Sequence, residues 1–214
     1  MEVKMQFDFK RQTESKRNID ANIKDPQANK HDRYEKRLSF PLRLIHTWTW
    51  WYHEPDNGQN EQWVYRLHNI SCITFAQDYW RLCNNLKSPS ELPIGADYYI
   101  LKSGISPIWK TAANKRGSQA LLTLRREEPN GSRTVDTCWQ QYSIAVLAGQ
   151  FGNHCASVNG TFVRVRATLF EVGFWMHSEA TPQERDIIRE AASALSESVG
   201  RVKCLPHNTD ITLL

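Results

Sequence analysis

The sequence has no Cys-x-x-Cys pair, no glycine-rich phosphate loop, no internal repeat and no apolar run long enough to cross a bilayer. Each absence removes a class of protein. The five cysteines, Cys72, Cys83, Cys138, Cys155 and Cys204, are odd in number and far apart. That spacing suits neither a zinc knuckle nor a redox dithiol, and it reads as free thiols in a reducing compartment. The charged start from Met1 to Arg11 lacks the apolar stretch of a signal peptide, so a cytosolic protein with no membrane partner, also able to enter the nucleus, is expected. The seven histidines are scattered. With no nucleophile beside a base, no carboxylate pair and no metal cluster, the chain reads as a non-enzyme without catalytic residues, metal or cofactor. Gly160 and Gly173 stand alone and read as turn or bulge residues.

What the sequence does contain is unevenly placed. Residues 1–37 hold ten Lys/Arg against seven Asp/Glu, out of totals of 27 and 23, which leaves 17 against 16 for the rest. The body is thus nearly neutral, and any contact with a nucleic acid must be focal rather than a broad basic face. The first 37 residues lack regular apolar spacing and read as a disordered charged tail, with one domain from 38 to 214. Eight tryptophans, at positions 48, 50, 51, 63, 80, 109, 139 and 175, exceed what core filling asks for. Some of them are expected to work outside the core.

Leu44 to Tyr52 alternates in the strand manner, with His46, Trp48, Trp50 and Tyr52 on one face and Thr47, Thr49 and Trp51 on the other. Further strands are expected over Trp63–Leu67, Asp97–Lys102, Ala120–Leu124, Thr161–Thr168 and Glu171–His177. Three helices interrupt them. The first begins at a Thr74-x-x-Gln77 capping box and stripes Phe75, Tyr79, Leu82, Cys83 and Leu86, which leaves Trp80 off the stripe. The second runs from about Val135 to Ala148 and stops at Gly149; it turns Val135, Cys138, Trp139, Tyr142 and Val146 inward and Gln140, Ile144 and Leu147 outward. The third has Thr181 as N-cap, Pro182 in the first turn and Glu184 completing the box. Helices among antiparallel strands give an α+β fold with a curved sheet and helices on one face.

Two tryptophans lie where strands become loops. Trp63 follows the polar run His53-Glu-Pro-Asp-Asn-Gly-Gln-Asn-Glu-Gln62, and Trp109 ends Gly104-Ile-Ser-Pro-Ile-Trp109. A lone loop tryptophan commonly folds back as a plug over the core. Two in a tryptophan-rich chain make a base sandwich a rival reading, strengthened by cation–π attraction if the base is methylated and cationic. Arg164 and Arg166 alternate with Val163 and Val165, so both arginines share one strand face, as a polyphosphate site or a solvated surface would have it. Trp80, with Ile144 and Leu147, either lies under the tail or seats a partner's amphipathic helix.

In order and spacing, Trp48-Thr-Trp-Trp-Tyr52, Trp63-x-x-x-Leu67, Asp78-Tyr-Trp-Arg81, Gly95 through Trp109, Asn114-Lys-Arg-Gly117 and Asn159-Gly-Thr-Phe-Val-Arg-Val-Arg166 leading to Trp175 resemble the eukaryotic translation initiation factor 4E family. The resemblance spans about residues 40 to 210. It implies a cupped eight-stranded antiparallel sheet with three helices packed on its convex face, and binding of the 7-methylguanosine cap of messenger RNA. Trp63 and Trp109 match the sandwich pair, Trp175 the tryptophan at the N7-methyl group and Arg166 the phosphate-binding arginine. Trp80 matches the dorsal tryptophan that receives the Tyr-x-x-x-x-Leu-φ helix of a 4G-like scaffold or a 4E-binding repressor. Pro41, Gln140, Gln141 and Ile144 fall at the same dorsal site.

The departures from the family pattern bear on mechanism. Lys110 stands where the family has a glutamate that neutralises the cationic base, Glu171 stands for a phosphate-contacting lysine, and Gln119 stands for a basic residue. Arg164 is a candidate replacement cation, and Glu54, Asp56 and Glu61 are candidate replacement acids. A charge-assisted hydrogen bond contributes about 1.5–3 kcal/mol, so an uncompensated exchange weakens cap binding roughly ten-fold to a hundred-fold. On the dorsal side Gln141 replaces an acid, which removes an ion pair from partners that rely on it. Such drift resembles divergent paralogues, some of which meet caps with extra methyl groups. Two rival functions remain at this point: an interaction module of the same fold with weak or lost cap binding, and a cap-hydrolysing enzyme.

Overall fold

A computed structural model describes residues 41–56, 58, 62–196 and 199–207. The tail 1–37 expected from composition, the domain boundary at 38 and the candidate acid Glu61 lie outside the described residues. Among the described residues the strands are β1 (Arg43–His53), β2 (Leu67–Phe75), β3 (Asp97–Lys102), β4 (Ser118–Arg125), β5 (Val158–Val165), β6 (Leu169–Met176) and β7 (Lys203–Pro206). The helices are α1 (Ala76–Cys83), α2 (Gly131–Leu147) and α3 (Pro182–Leu195). The strands form one curved antiparallel sheet in the order β2-β1-β3-β5-β6-β4-β7. It has seven strands among the described residues, not the eight that the resemblance implied.

Strand alternation separates two apolar layers. Trp48, Trp50, Tyr98, Ile100, Leu122, Val163, Val165, Val172 and Phe174 share one buried cluster with helical residues Tyr79, Val135, Trp139, Tyr142 and Ile188. Trp50 meets Trp139 edge-on at 5.7 Å, and Tyr142 stacks on Phe174 at 4.5 Å. Such aromatic pairs add about 0.5–1.5 kcal/mol each beyond the area they bury. On the other face Tyr99, Leu101, Leu121, Phe162 and Trp175 form a smaller cluster. That second layer is the floor of the site.

Four local expectations are corrected. Trp63–Arg66 is a short 3₁₀ turn rather than a strand, and pairing with β1 begins only at Leu67. The α1 start is capped by Asp78, whose carboxylate accepts from the backbone N–H of Thr74 at 3.1 Å and of Phe75 at 2.9 Å. Gln77 instead accepts from Leu42 N–H at 3.1 Å and ties β1's approach to the helix. Leu147, expected to face outward on α2, is buried, because the last turn of that helix lies against Ile45, Trp48 and Val158. Gly160 does sit at a register shift, whereas Gly173 lies in regular pairing; a Cβ there would strike the ring of Phe162, so this glycine provides close approach and no bulge.

Other elements follow the sequence directly. α3 starts at Thr181, whose Oγ1 accepts from Glu184 N–H at 3.2 Å while the Glu184 carboxylate accepts from Thr181 N–H at 2.8 Å. α2 ends just before Gly149, whose φ of +66° supplies the left-handed turn expected there.

Candidate functional site

Alternation on β1, β3, β5 and β6 aims one set of side chains away from the helices. Register then lines them up across the sheet: His53 opposite Asp97, Asp97 opposite Arg164, Arg164 opposite Glu171. Above this charged row opens a cavity of about 580 Å³, lined by Trp63 and Trp109 at its rim, Trp175 in its floor, and Asp97, Arg164, Arg166, Glu171 and His207. Both loop tryptophans therefore border one space. Trp63 is half-buried and Trp109 is exposed.

Trp63 is braced from within. Its ring stacks on His53 at 4.4 Å with 19° between planes, and His53 itself is buried. Burial holds the His53 imidazole below its ordinary pKa, so a neutral ring supports the indole. Trp109 ends the segment after β3, where Asn114 pins the loop by donating to the carbonyls of Ser106 at 2.9 Å and Ile108 at 3.0 Å. The Lys110 ammonium lies 4.9 Å from the centroid of the Trp109 ring, and Lys110 is not among the residues lining the cavity.

The two arginines are both held by acids. Arg166 donates to Asp97 Oδ1 at 2.6 Å, and Asp97 also accepts from the Tyr99 hydroxyl at 2.9 Å. Arg164 donates to Glu171 at 3.3 Å and to the Gln119 side-chain oxygen at 3.2 Å, with its guanidinium 4.1 Å over the Phe162 ring. The positions where the family pattern had basic residues, Gln119 and Glu171, thus form the seat of Arg164. Of the candidate replacement acids, Glu54 pairs with His68 at 3.1 Å and Asp56 with Arg66 at 3.7 Å, and neither lines the cavity. Among the described residues the carboxylates that line it are those of Asp97 and Glu171. Asp97, His53, Tyr99 and His207 were missed from sequence; extending the alternation one residue past Tyr52, and applying it to Asp97–Lys102, would have found the first three. His207 carried no such signal. It touches Trp175 edge-on at 4.6 Å, and burial pushes its imidazole down to about 4.

On the helical side, Trp80 is 44% exposed on α1, beside the Tyr79 ring at 5.1 Å. Pro41, Gln140 and Gln141 are exposed and Ile144 is half-buried. The Ala76 N–H donates to Leu42 O at 2.8 Å, which brings the Pro41–Leu42 segment to the start of α1.

The α+β fold, a curved antiparallel sheet with helices, is similar to that of solved factor 4E structures. The chain aligns with Ascaris suum eIF4E-3, solved with an m2,2,7G cap, at a TM-score of 0.73 and 24% identity over 79% of this chain and 93% of that one. It aligns with schistosome eIF4E, solved with m7GpppG and 4E-BP, at a TM-score of 0.71 and 18% identity over 78% and 90% of the two chains. Residues 43–210 match the family model for Eukaryotic initiation factor 4E, and the chain belongs to that family. It is 30% identical over 141 residues to the Eukaryotic translation initiation factor 4E of Eremothecium gossypii, covering 66% of this chain and 64% of that protein. To the Homo sapiens factor it is 29% identical over the same share of this chain and 62% of that protein. The chain thus spans about three fifths of the length of these curated relatives.

Proposed function

We propose that this chain binds the 7-methylguanosine cap of messenger RNA and presents the capped transcript to a helical partner, in translation initiation or its regulation. The observation that carries the reading is that Trp63 and Trp109, 46 positions apart in sequence, border one cavity. Two indoles bordering one cavity suit a flat cationic purine held between them, which gains stacking and cation–π attraction from both. Trp175 meets the methylated edge of the base, and Arg166, the more exposed of the two arginines, meets phosphate. Arg164 and Glu171 set the charge at the cavity, and Lys110 acts on the ligand only through the Trp109 ring it lies over.

The partner is a 4G-like scaffold or a 4E-binding repressor whose amphipathic Tyr-x-x-x-x-Leu-φ helix docks on Trp80, with Pro41, Gln140, Gln141 and Ile144 around it. This places the partner on the helical, convex back of the sheet and the cap in its cup. Residues 38–214 act as the cap-binding domain and 1–37 as a charged tail. On this reading the protein works without catalysis, in the cytoplasm with access to the nucleus. The acids paired to both arginines favour one second reading, an interaction module of the same fold with weakened cap binding.

Retention on immobilised 7-methylguanosine, compared with immobilised guanosine, separates the two. Selective retention that disappears in Trp63→Ala and Trp109→Ala supports cap binding. Equal passage through both resins, with a Tyr-x-x-x-x-Leu-φ peptide still bound, supports the interaction module.

A further inference from the structure

We infer that sheet register holds the phosphate end of this cavity near electrical neutrality, so that a bound nucleotide is selected by its base and gains little affinity from each added phosphate. The inference rests on the base-sandwich reading above. Asp97, Arg164 and Glu171 are direct cross-strand partners on β3, β5 and β6, so charges of alternating sign sit side by side at a spacing that the backbone ladder sets. The ladder fixes the backbone spacing of these three, and Arg166 follows directly after the last residue of β5.

Arg164 is the more committed guanidinium. Its side chain is 15% exposed, its two terminal nitrogens go to Glu171 and Gln119, and its flat face lies on Phe162. Arg166 is 39% exposed, yet it too is paired, to Asp97 and to the Val165 carbonyl at 3.1 Å. Among the described residues the charged side chains lining the cavity are therefore two guanidiniums and two carboxylates, Arg164 and Arg166 against Asp97 and Glu171, with the Lys110 ammonium outside this lining, over the Trp109 ring. His207 adds no charge near neutral pH, because burial lowers its imidazole to about 4. An incoming phosphate meets each carboxylate within a few ångströms of a guanidinium, so attraction and repulsion largely cancel. The ligand class this describes is a flat cationic nucleoside whose phosphate chain contributes little, rather than a polyphosphate with a base attached.

Isothermal calorimetry with 7-methylguanosine and its mono-, di- and triphosphate tests this on the full chain. The four ligands should bind within about threefold of one another and change little between low and high salt, since a neutral site has little long-range attraction to screen. Glu171→Gln keeps the side-chain shape and an oxygen for Arg164 while removing one negative charge. It should raise the ratio of triphosphate to nucleoside affinity about tenfold. An affinity in the wild-type protein that climbs about tenfold with each phosphate would overturn the inference and leave the sandwich intact. So would a Glu171→Gln ratio equal to that of the wild type. Should the variant not fold, the wild-type series alone decides. Absence of heat with all four ligands would remove the sandwich itself, and this inference with it.

Discussion

Trp109 carries the Lys110 ammonium 4.9 Å from its ring centre before any ligand arrives. A cationic base seeking that indole meets a like charge, and the two compete for one quadrupole. Lys110→Glu should therefore tighten 7-methylguanosine binding by at least about two- to fivefold, the equivalent of an exposed cation–π contact of about 0.5–1 kcal/mol; equilibrium dialysis of the labelled nucleoside measures it, and weaker binding would place Lys110 on the ligand. His207 yields a pH dependence. Its folded pKa of about 4 lies below the ordinary histidine value of 6.5, so as pH falls the unfolded chain takes up the proton first. Stability from this group is complete above about 6.5 and is lost as pH drops toward 4, by no more than about 3 kcal/mol. Urea unfolding at pH 7.5 and 4.5 should show a smaller difference in His207→Gln than in the wild type; an identical difference would mean the ring titrates normally.

At the scale of elements, the caps show what sequence can and cannot specify. Thr181 and Glu184 satisfy each other, and Ser157 Oγ donates to the same Glu184 carboxylate at 2.7 Å, which links α3 to the turn before β5. Thr181→Ala should cost about 1 kcal/mol, read from the urea midpoint; no change would mean that the proline and Glu184 hold the helix start alone. That cap was legible because both of its partners lie within three residues. The α1 cap was not, since Thr74 and Gln77 imitate a box while Asp78, one position further on, takes the two backbone N–H groups. β1 was legible through its alternation of tryptophans. β2 was hidden, because it is an edge strand whose apolar residues Leu67, Ile70, Ile73 and Phe75 do not keep a strict alternation, and its pairing with β1 is a long-range fact.

Over the whole molecule, one sheet separates two surfaces, with Trp63 and Trp109 at the cavity on one side and Trp80 among the helices on the other. Trp80 is 44% exposed, so Trp80→Ala should leave the melting temperature within a degree or two of the wild type, abolish binding of a Tyr-x-x-x-x-Leu-φ peptide and spare nucleotide binding; unfolding would return that ring to the core. The cavity brings together Trp63, Trp109, Arg164, Arg166, Glu171 and Trp175, each singled out in the sequence, but their pairing was not legible there. That Arg164 is seated by Gln119 and Glu171 depends on the register of three strands, which no local pattern encodes. The central claim is that a flat, positively charged purine enters between Trp63 and Trp109. Titration of intrinsic tryptophan fluorescence with 7-methylguanosine diphosphate and, separately, with unmethylated guanosine diphosphate measures it most directly. Saturable quenching by the methylated nucleotide, much weaker with the unmethylated one and absent from Trp63→Ala and Trp109→Ala, is the predicted result; an unchanged signal up to millimolar methylated ligand, or equal quenching in the two variants, would contradict it.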